Sequence, residues 1–415
     1  MERESKKMKR EFITAAEGDG EERGISNLPL IMKELVFSKL PVESICSSRV
    51  VCKEWNFILS SQRFLSSLSI QNPWLLMCGK EMNETWVCMA YCFSAQKWMT
   101  LPLCLPPDLD ISFSSGAGQG LLLFEKASPR QLFVCNPLMR SYAEIEMDLT
   151  DKFIAFLQVG NKEPYLVVCS TSGYKFSFKI YHHFQDSWRI KFQITEETTS
   201  NISVFRMDEM VECNDVLFMR RISLETIVTI VGYKIKADGF SSPVTIAPLS
   251  PQMVKDLTVC NMVSYGSSIL VVGIIQELDP FFFEVALDLD PLLSFNPLST
   301  GTGLNKTGIV IWELFQDEEN ELIWKWKEFA RMPPHSLPQY VIEYLNDYAY
   351  KDWFYGDCAC VGDYLCFNAA SVFAYNLKCG FWQRLPPHKS HYSNQKMISF
   401  EPKLYHYQFP RKSSE

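Results

Sequence analysis

The sequence predicts a mostly β protein with a small α-helical domain at its N-terminus. Three observations carry that expectation. Apolar residues recur at helical spacing between two Leu-Pro breaks near the start of the chain, beginning at Ser26. After Ile70 the pattern changes to short runs rich in Val, Ile, Phe and Tyr, bounded by Gly, Pro, Asn or Ser. Those runs then recur as a diverged internal repeat. The 415 residues are 47% hydrophobic and 21% charged, which supplies a self-sufficient core and excludes general disorder.

Residues 1–25 are polar, with a basic cluster (Lys6, Lys7, Lys9, Arg10) ahead of an acidic run ending at Glu22. They read as a solvated tail, with a weak nuclear-import signal as the alternative. The helical domain spans 26–70. Asn27-Leu28-Pro29 marks a helix start, because proline in the first turn forfeits no hydrogen bond. Ile31 and Leu35 then stand one above the other, widened by Leu30, Val36 and Phe37, until Leu40-Pro41 ends the helix. A short segment, Val42–Ser48, leads to a helix over Arg49–Leu59 with Val51, Trp55 and Ile58 on one face. Three short helices cannot hide that much apolar surface, so a partner is expected to cover the remainder.

The same residues resemble an F-box. The resemblance rests on Leu28-Pro29, Leu35, Leu40-Pro41, Val50-Val51-Cys52-Lys53 and Trp55, followed by Phe64. It implies a three-helix module that docks on a Skp-type adaptor and, through it, on a cullin. Carried onto this chain, it nominates Leu28, Pro29, Ile31, Leu35, Leu40, Pro41, Ile45, Val51, Cys52 and Trp55 as adaptor-binding residues. Physically, such docking is helix packing in a groove, with large apolar anchors supplying most of the energy.

The repeat fills 71–405, leaving 406–415 as a tail. Its closing element is an apolar strand, a polar turn and an aromatic: Tyr91 to Trp98, Val134 to Tyr142, Ile180 to Trp188, Trp312 to Trp324 and Trp326, and Ala374 to Trp382. A second element is an apolar strand opened by Gly, Asn or Asp, at Gly120, Asn214, Gly266 and Gly362. Units of about 40–50 residues, each a small antiparallel sheet, are the signature of β-propeller blades. The span predicts six, the fifth enlarged. This half resembles the propeller of plant F-box/kelch-repeat proteins, through Pro73-Trp74, the V-C-N-P-L-x-R at Val134–Arg140, and a closing strand near Ser399-Phe400-Glu401-Pro402. The kelch Gly-Gly doublet is absent.

Charge and composition bound the function. Forty basic residues against 48 acidic ones give a net charge of -8, which argues against a nucleic-acid partner. The F-box stretch is itself basic (Lys33, Lys39, Arg49, Lys53 and Arg63 against Glu34, Glu43 and Glu54), so the acidity belongs mostly to the propeller and points to a substrate with a basic face. Apolar runs such as Ile269–Ile275 are too short to cross a bilayer, and no apolar leader precedes residue 22. The expected location is the nucleus, the cytoplasm or both. In such a compartment the 14 cysteines, including Cys78, Cys135, Cys169 and Cys260, are expected to be reduced strand filler. Cys358 and Cys360 lack a second pair at zinc spacing, so no metal and no cofactor are expected. His182 and His183 read as loop imidazoles, Asp288 and Asp290 as loop carboxylates, and no nucleophile, base and orienter assemble.

Two segments interrupt the repeat. Gln276–Lys306 contains Phe281, Phe282 and Phe283, and Pro338–Asp357 contains Tyr340, Tyr344, Tyr348 and Trp353. Aromatic residues concentrate interface energy, so these are the candidate substrate contacts. The alternative for Tyr340, Tyr344 and Tyr348 is a helix packed on the propeller flank. Together with the resemblance, the expectation is a non-catalytic substrate receptor of an SCF-type ubiquitin ligase. The alternatives are a non-degradative F-box scaffold or transcriptional co-regulator, and a carbohydrate- or metabolite-binding propeller.

Overall fold

A computed structural model of the chain describes residues 28–68, 72–81, 86–101, 103, 111–116, 120–127, 130–145, 152–159, 164–172, 175–184, 187–197, 204–222, 228–236, 239–250, 253, 260–277, 306–342, 358–368, 372–387, 393–402 and 404. The chain divides into two compact units, Met1–Gln71 with Leu404–His406, and Asn72–Lys403 with Tyr407–Glu415.

The first unit is helical: α1 (Leu30–Phe37), α2 (Val42–Ser48), α3 (Lys53–Leu59) and α4 (Gln62–Ser67). Pro29 and Pro41 sit in extended backbone at the N-caps of α1 and α2, where a missing N–H costs nothing. Two details differ from the sequence expectation. First, α3 begins at Lys53, because the Cys52 sulfur caps it by accepting from the Trp55 N–H at 3.4 Å. Val51 therefore precedes the helix and does not share a face with Ile58. Second, four helices are found among the described residues of this unit, where the sequence predicts three. Ser61 accepts from the Phe64 N–H at 3.3 Å and so starts α4, which carries Phe64 into the core. α3 packs against the other three helices. Phe37, Val42, Ile45, Ile58, Leu59 and Phe64 form the interior.

The second unit is built from six sheets. Their strands are β1 (Trp74–Lys80), β2 (Trp86–Cys92) and β3 (Lys97–Leu101); β4 (Ile111–Gly116), β5 (Leu122–Ala127), β6 (Arg130–Asn136) and β7 (Ser141–Ile145). Next come β8 (Lys152–Val159), β9 (Pro164–Ser172), β10 (Lys175–Phe184) and β11 (Ser187–Glu197), then β12 (Val204–Cys213), β13 (Val216–Ile222), β14 (Val228–Lys236) and β15 (Gly239–Pro243). The fifth sheet holds β16 (Thr245–Ile246), β17 (Cys260–Tyr265), β18 (Ser268–Glu277), β19 (Lys306–Gln316) and β20 (Ile323–Met332). The sixth holds β21 (Cys358–Val361), β22 (Tyr364–Phe367), β23 (Phe373–Asn376) and β24 (Trp382–Arg384). The last strand, β25 (Ser393–Phe400), returns to pair antiparallel with β1 and becomes the first strand of sheet one. Five sheets thus have four strands and the fifth has five.

The innermost strands β25, β4, β8, β12, β17 and β21 neighbour one another in a closed cycle, so the sheets form a propeller-like ring. All described pairings are antiparallel except β16 with β20, which is parallel. The closing aromatics fall in the outer hairpins, as in the register pairs Tyr91 with Trp98, Cys135 with Tyr142, His183 with Trp188 and Tyr375 with Trp382. His182 and His183 therefore lie within β10, not in a loop, because that strand runs on to Phe184. The outer hairpin of sheet four, β14–β15, escaped the sequence reading. It places Phe240 opposite Ile235, where the other sheets carry Trp or Tyr.

The second strands read as continuous apolar runs because each is covered on both faces by neighbouring sheets. Leu122, Leu123 and Phe124 on β5, and Val216, Leu217 and Phe218 on β13, have no exposed surface. The turn into β13 uses Asn214 and Asp215 in the left-handed region (φ 52° and 59°), a conformation short polar side chains tolerate. Between sheets the cores interlock. Trp324 is fully buried, edge-on to Phe218 of the neighbouring sheet at 4.7 Å, and Phe93 of sheet one stacks on Tyr364 of sheet six at 4.2 Å. Trp98 Nε1 donates to the Pro386 carbonyl at 2.7 Å, fastening sheet one to the segment after β24.

One cysteine expectation is overturned. Cys78 and Cys88, directly opposed on β1 and β2, are joined by a disulfide, so Cys78 is not a reduced filler. The strand register supplies the reason: facing positions of an antiparallel pair bring the two Cα atoms to 4.3 Å.

Candidate functional site

Burial in the helical unit runs against residue type. Of the eleven large hydrophobic residues that stand exposed among the described residues, eight lie between Leu30 and Phe57. On α1, Leu30, Ile31, Met32, Leu35 and Val36 face solvent, Ile31 at 66%, while Lys33 is 4% exposed. The cause is local packing. Lys33 and Phe37, four residues apart, form the inward stripe of α1. The Lys33 ammonium donates to Glu54 on α3, and Phe37 meets the Trp55 ring edge-on at 4.8 Å. Arg63 and Glu34 add an ion pair at 3.3 Å. With that stripe anchored, the opposite face is left to Ile31 and Leu35.

The turn between α2 and α3 continues the pattern, with Val50 at 82% and Val51 at 62% exposed. Arg49 holds that turn through a 2.7 Å bond from its guanidinium to Ser60, and burial lowers the guanidinium pKa. Apolar surface left in water forgoes about 25 cal/mol per Å², so a face of this kind is a candidate binding surface.

The nominated residues sort into three groups. Pro29, Ile31, Leu35, Pro41, Val51 and Cys52 are exposed; Leu28, Leu40 and Trp55 are half-buried; Ile45 is fully buried in the helical core. Ile45 therefore supports the face from beneath. Met32 and Phe57 are exposed apolar residues that the motif did not nominate. Phe57 stands beside Ile58 and Leu59, the two buried residues of α3, and that neighbourhood was the available signal.

In the ring, Phe281, Phe282, Phe283, Tyr344, Tyr348 and Trp353 lie outside the described residues, as do Asp288 and Asp290. Tyr340 is half-buried against the ring core, edge-on to Phe373 at 5.9 Å, and burial raises its phenol pKa. Strand register locates the attachment points of the two interrupting segments. Glu277 pairs with Lys306, and Met332 pairs with Ile309 near the same end of sheet five. These strand ends thus lie at one rim of the ring. At the opposite rim, Asn214 donates to Ser267 and Gln316, Lys234 pairs with Glu321 at 2.6 Å, and Lys378 pairs with Asp363 at 2.9 Å.

Among the described residues no group of three or more His, Cys, Asp or Glu could hold a metal ion. Burial pushes the Cys360 thiol up to about 12 and raises Cys366 as well, so both are protonated, weak ligands and weak nucleophiles. No described helix is long and apolar enough to cross a membrane.

Comparison with known proteins agrees with this division. The F-box domain model matches residues 25–67. An F-box/kelch-repeat protein of Arabidopsis thaliana is 32% identical over 123 residues, covering 28% of this chain and 29% of its own length. F-box only protein 6 of Arabidopsis thaliana is 29% identical over 121 residues, covering 28% of this chain and 25% of its own length. The matches thus span under a third of these relatives. Among solved structures, an uncharacterised protein of Listeria monocytogenes aligns over 68% of this chain and 85% of its own, at 8% identity and a TM-score of 0.32.

Proposed function

We propose, from an N-terminal F-box domain followed by a propeller-like β unit, that this chain is the substrate-recognition subunit of an SCF-type ubiquitin ligase. The observation that carries the reading is the exposed apolar face of the helical unit around Ile31, Leu35 and Val51, whose anchors match what a Skp-type adaptor groove takes up. The adaptor links the chain to a cullin. The ring holds a protein target, through the rim that carries Glu277, Lys306 and Met332. The chain itself is non-catalytic. Chemistry belongs to other subunits, and the receptor's contribution is effective concentration: substrate lysines are held near the charged ubiquitin carrier. It acts in the nucleus, the cytoplasm or both.

Pull-down with a purified Skp-type adaptor tests the reading. Replacing Ile31 and Leu35 together by Asp should reduce binding at least about 100-fold, because each buries a large side chain in the complex. Both residues are exposed in the chain alone, so its thermal midpoint should hold. Undiminished binding by the folded double variant refutes the docking claim. Stabilisation of a captured partner on depletion of the receptor separates degradation from scaffolding.

A further inference from the structure

We propose that Cys78 and Cys88 are a reversible thiol–disulfide lock on the sheet that closes the ring. Among the described residues, sheet one alone is assembled from both ends of the unit: β1 pairs with β2 on one side and with β25 on the other. Cys78 stands where the β1–β25 register slips, between its own partner Lys396 and the next pair, Lys80 with Ser393. The covalent bond therefore ties β1 to β2 at the level where the closing β1–β25 ladder slips register. It holds β1 in place for β25.

The bond is buried yet close to a hairpin end. Both cysteines have no exposed surface. Only two register pairs, Gly79 with Val87 and Lys80 with Trp86, separate it from the 81–85 connection. The outer pair is pinned by the Lys80 ammonium over the Trp86 ring at 5.7 Å and by Trp86 edge-on to Phe124 at 5.7 Å. Local opening of two pairs costs far less than unfolding, so a small thiol or disulfide reaches the sulfurs by fraying.

The chemistry closes with a low-molecular-weight disulfide such as oxidised glutathione. One protein thiolate attacks it and expels a first glutathione thiol. The second protein thiolate then displaces the other, forming Cys78–Cys88 and releasing the second thiol; reduction runs the same steps in reverse.

The test equilibrates the full chain in glutathione buffers of set thiol-to-disulfide ratio, quenches with acid and tags thiols before and after reduction for peptide mass analysis. Cys78 and Cys88 are expected to change label together, with the thermal midpoint of the β unit falling by about 3–10 °C on reduction. The Cys78→Ala, Cys88→Ala double variant should show no redox-dependent shift, and Trp86→Ala should be reduced several-fold faster. Full alkylation of both cysteines in oxidising buffer, or an unchanged midpoint on reduction, overturns the proposal. If the double variant does not fold, slower amide exchange of β1 and β25 in oxidised than in reduced wild type supports the lock, and equal exchange overturns it.

Discussion

The helical unit and the ring dispose the same residue types in opposite ways. On α1, Lys33 is inside and Ile31 and Leu35 are outside; in the ring, Phe124, Phe218 and Trp324 are inside and charges such as Lys378 and Asp363 pair on the surface. The ring can bury its aromatics because each sheet is covered by its neighbours. The four described helices, six to eight residues long, bury six large apolar residues among those described. Apolar residues beyond that number are left for something else to cover. A hydrophobic residue therefore argues for fold in one half of this chain and for docking in the other.

The largest expected effect breaks the ring and spares the face. Trp324→Ala empties a site shared by two sheets and should cost about 3–5 kcal/mol, read as a lower thermal midpoint, while adaptor binding by the folded fraction is unchanged. Loss of adaptor binding at equal folded concentration would show that the halves are not separable in this way.

Alkali should strain the ring next. Burial holds the Cys213 and Cys360 thiols at about 12, against an ordinary value of 9.0. Between those values the unfolded chain releases protons that the folded chain keeps, so the stability from these groups is whole below pH 9 and is lost as pH rises toward 12. The slope is about 1.4 kcal/mol per pH unit for each group. Melts from pH 8 to 11 should show a midpoint falling above pH 9, and a smaller fall in Cys213→Ala.

A smaller effect sharpens the repeat. Asn136 and Asn376 occupy equivalent outer-hairpin turns of sheets two and six. Each carboxamide oxygen accepts two backbone N–H groups, those of Leu138 and Met139 or of Lys378 and Cys379. Replacing either by Ala removes two hydrogen bonds from its turn and should cost about 1–2 kcal/mol by chemical denaturation.

The smallest effect concerns the inverted helix. Lys33→Met should change stability by less than about 1 kcal/mol, since its partner Glu54 remains half-hydrated and an apolar replacement suits the site. A loss well beyond that would mean that the ion pair, not the Phe37–Trp55 contact, anchors α1.

Much of this was legible in the sequence because it is local. The first Leu-Pro pair located the start of α1 and the second its end, Gly120, Asn214, Gly266 and Gly362 located the turns into second strands, and the Trp and Tyr spacing located five of six outer hairpins. Sheet four was missed because Phe240 lacked the expected residue type. The docking motif was legible too, but not which of its members face out.

By itself, then, the sequence determined a helical module carrying an F-box motif, a repeat of small sheets, and the residues that turn most of the hairpins. Tertiary structure alone decided that Ile45 is buried and Ile31 is not, that the Cys52 cap sets Val51 outside α3, that β25 closes the ring, and that Cys78 meets Cys88. Spacing and turn chemistry act within a few residues. Burial, register and ring closure depend on partners tens to hundreds of residues away, and local pattern does not encode which partner arrives.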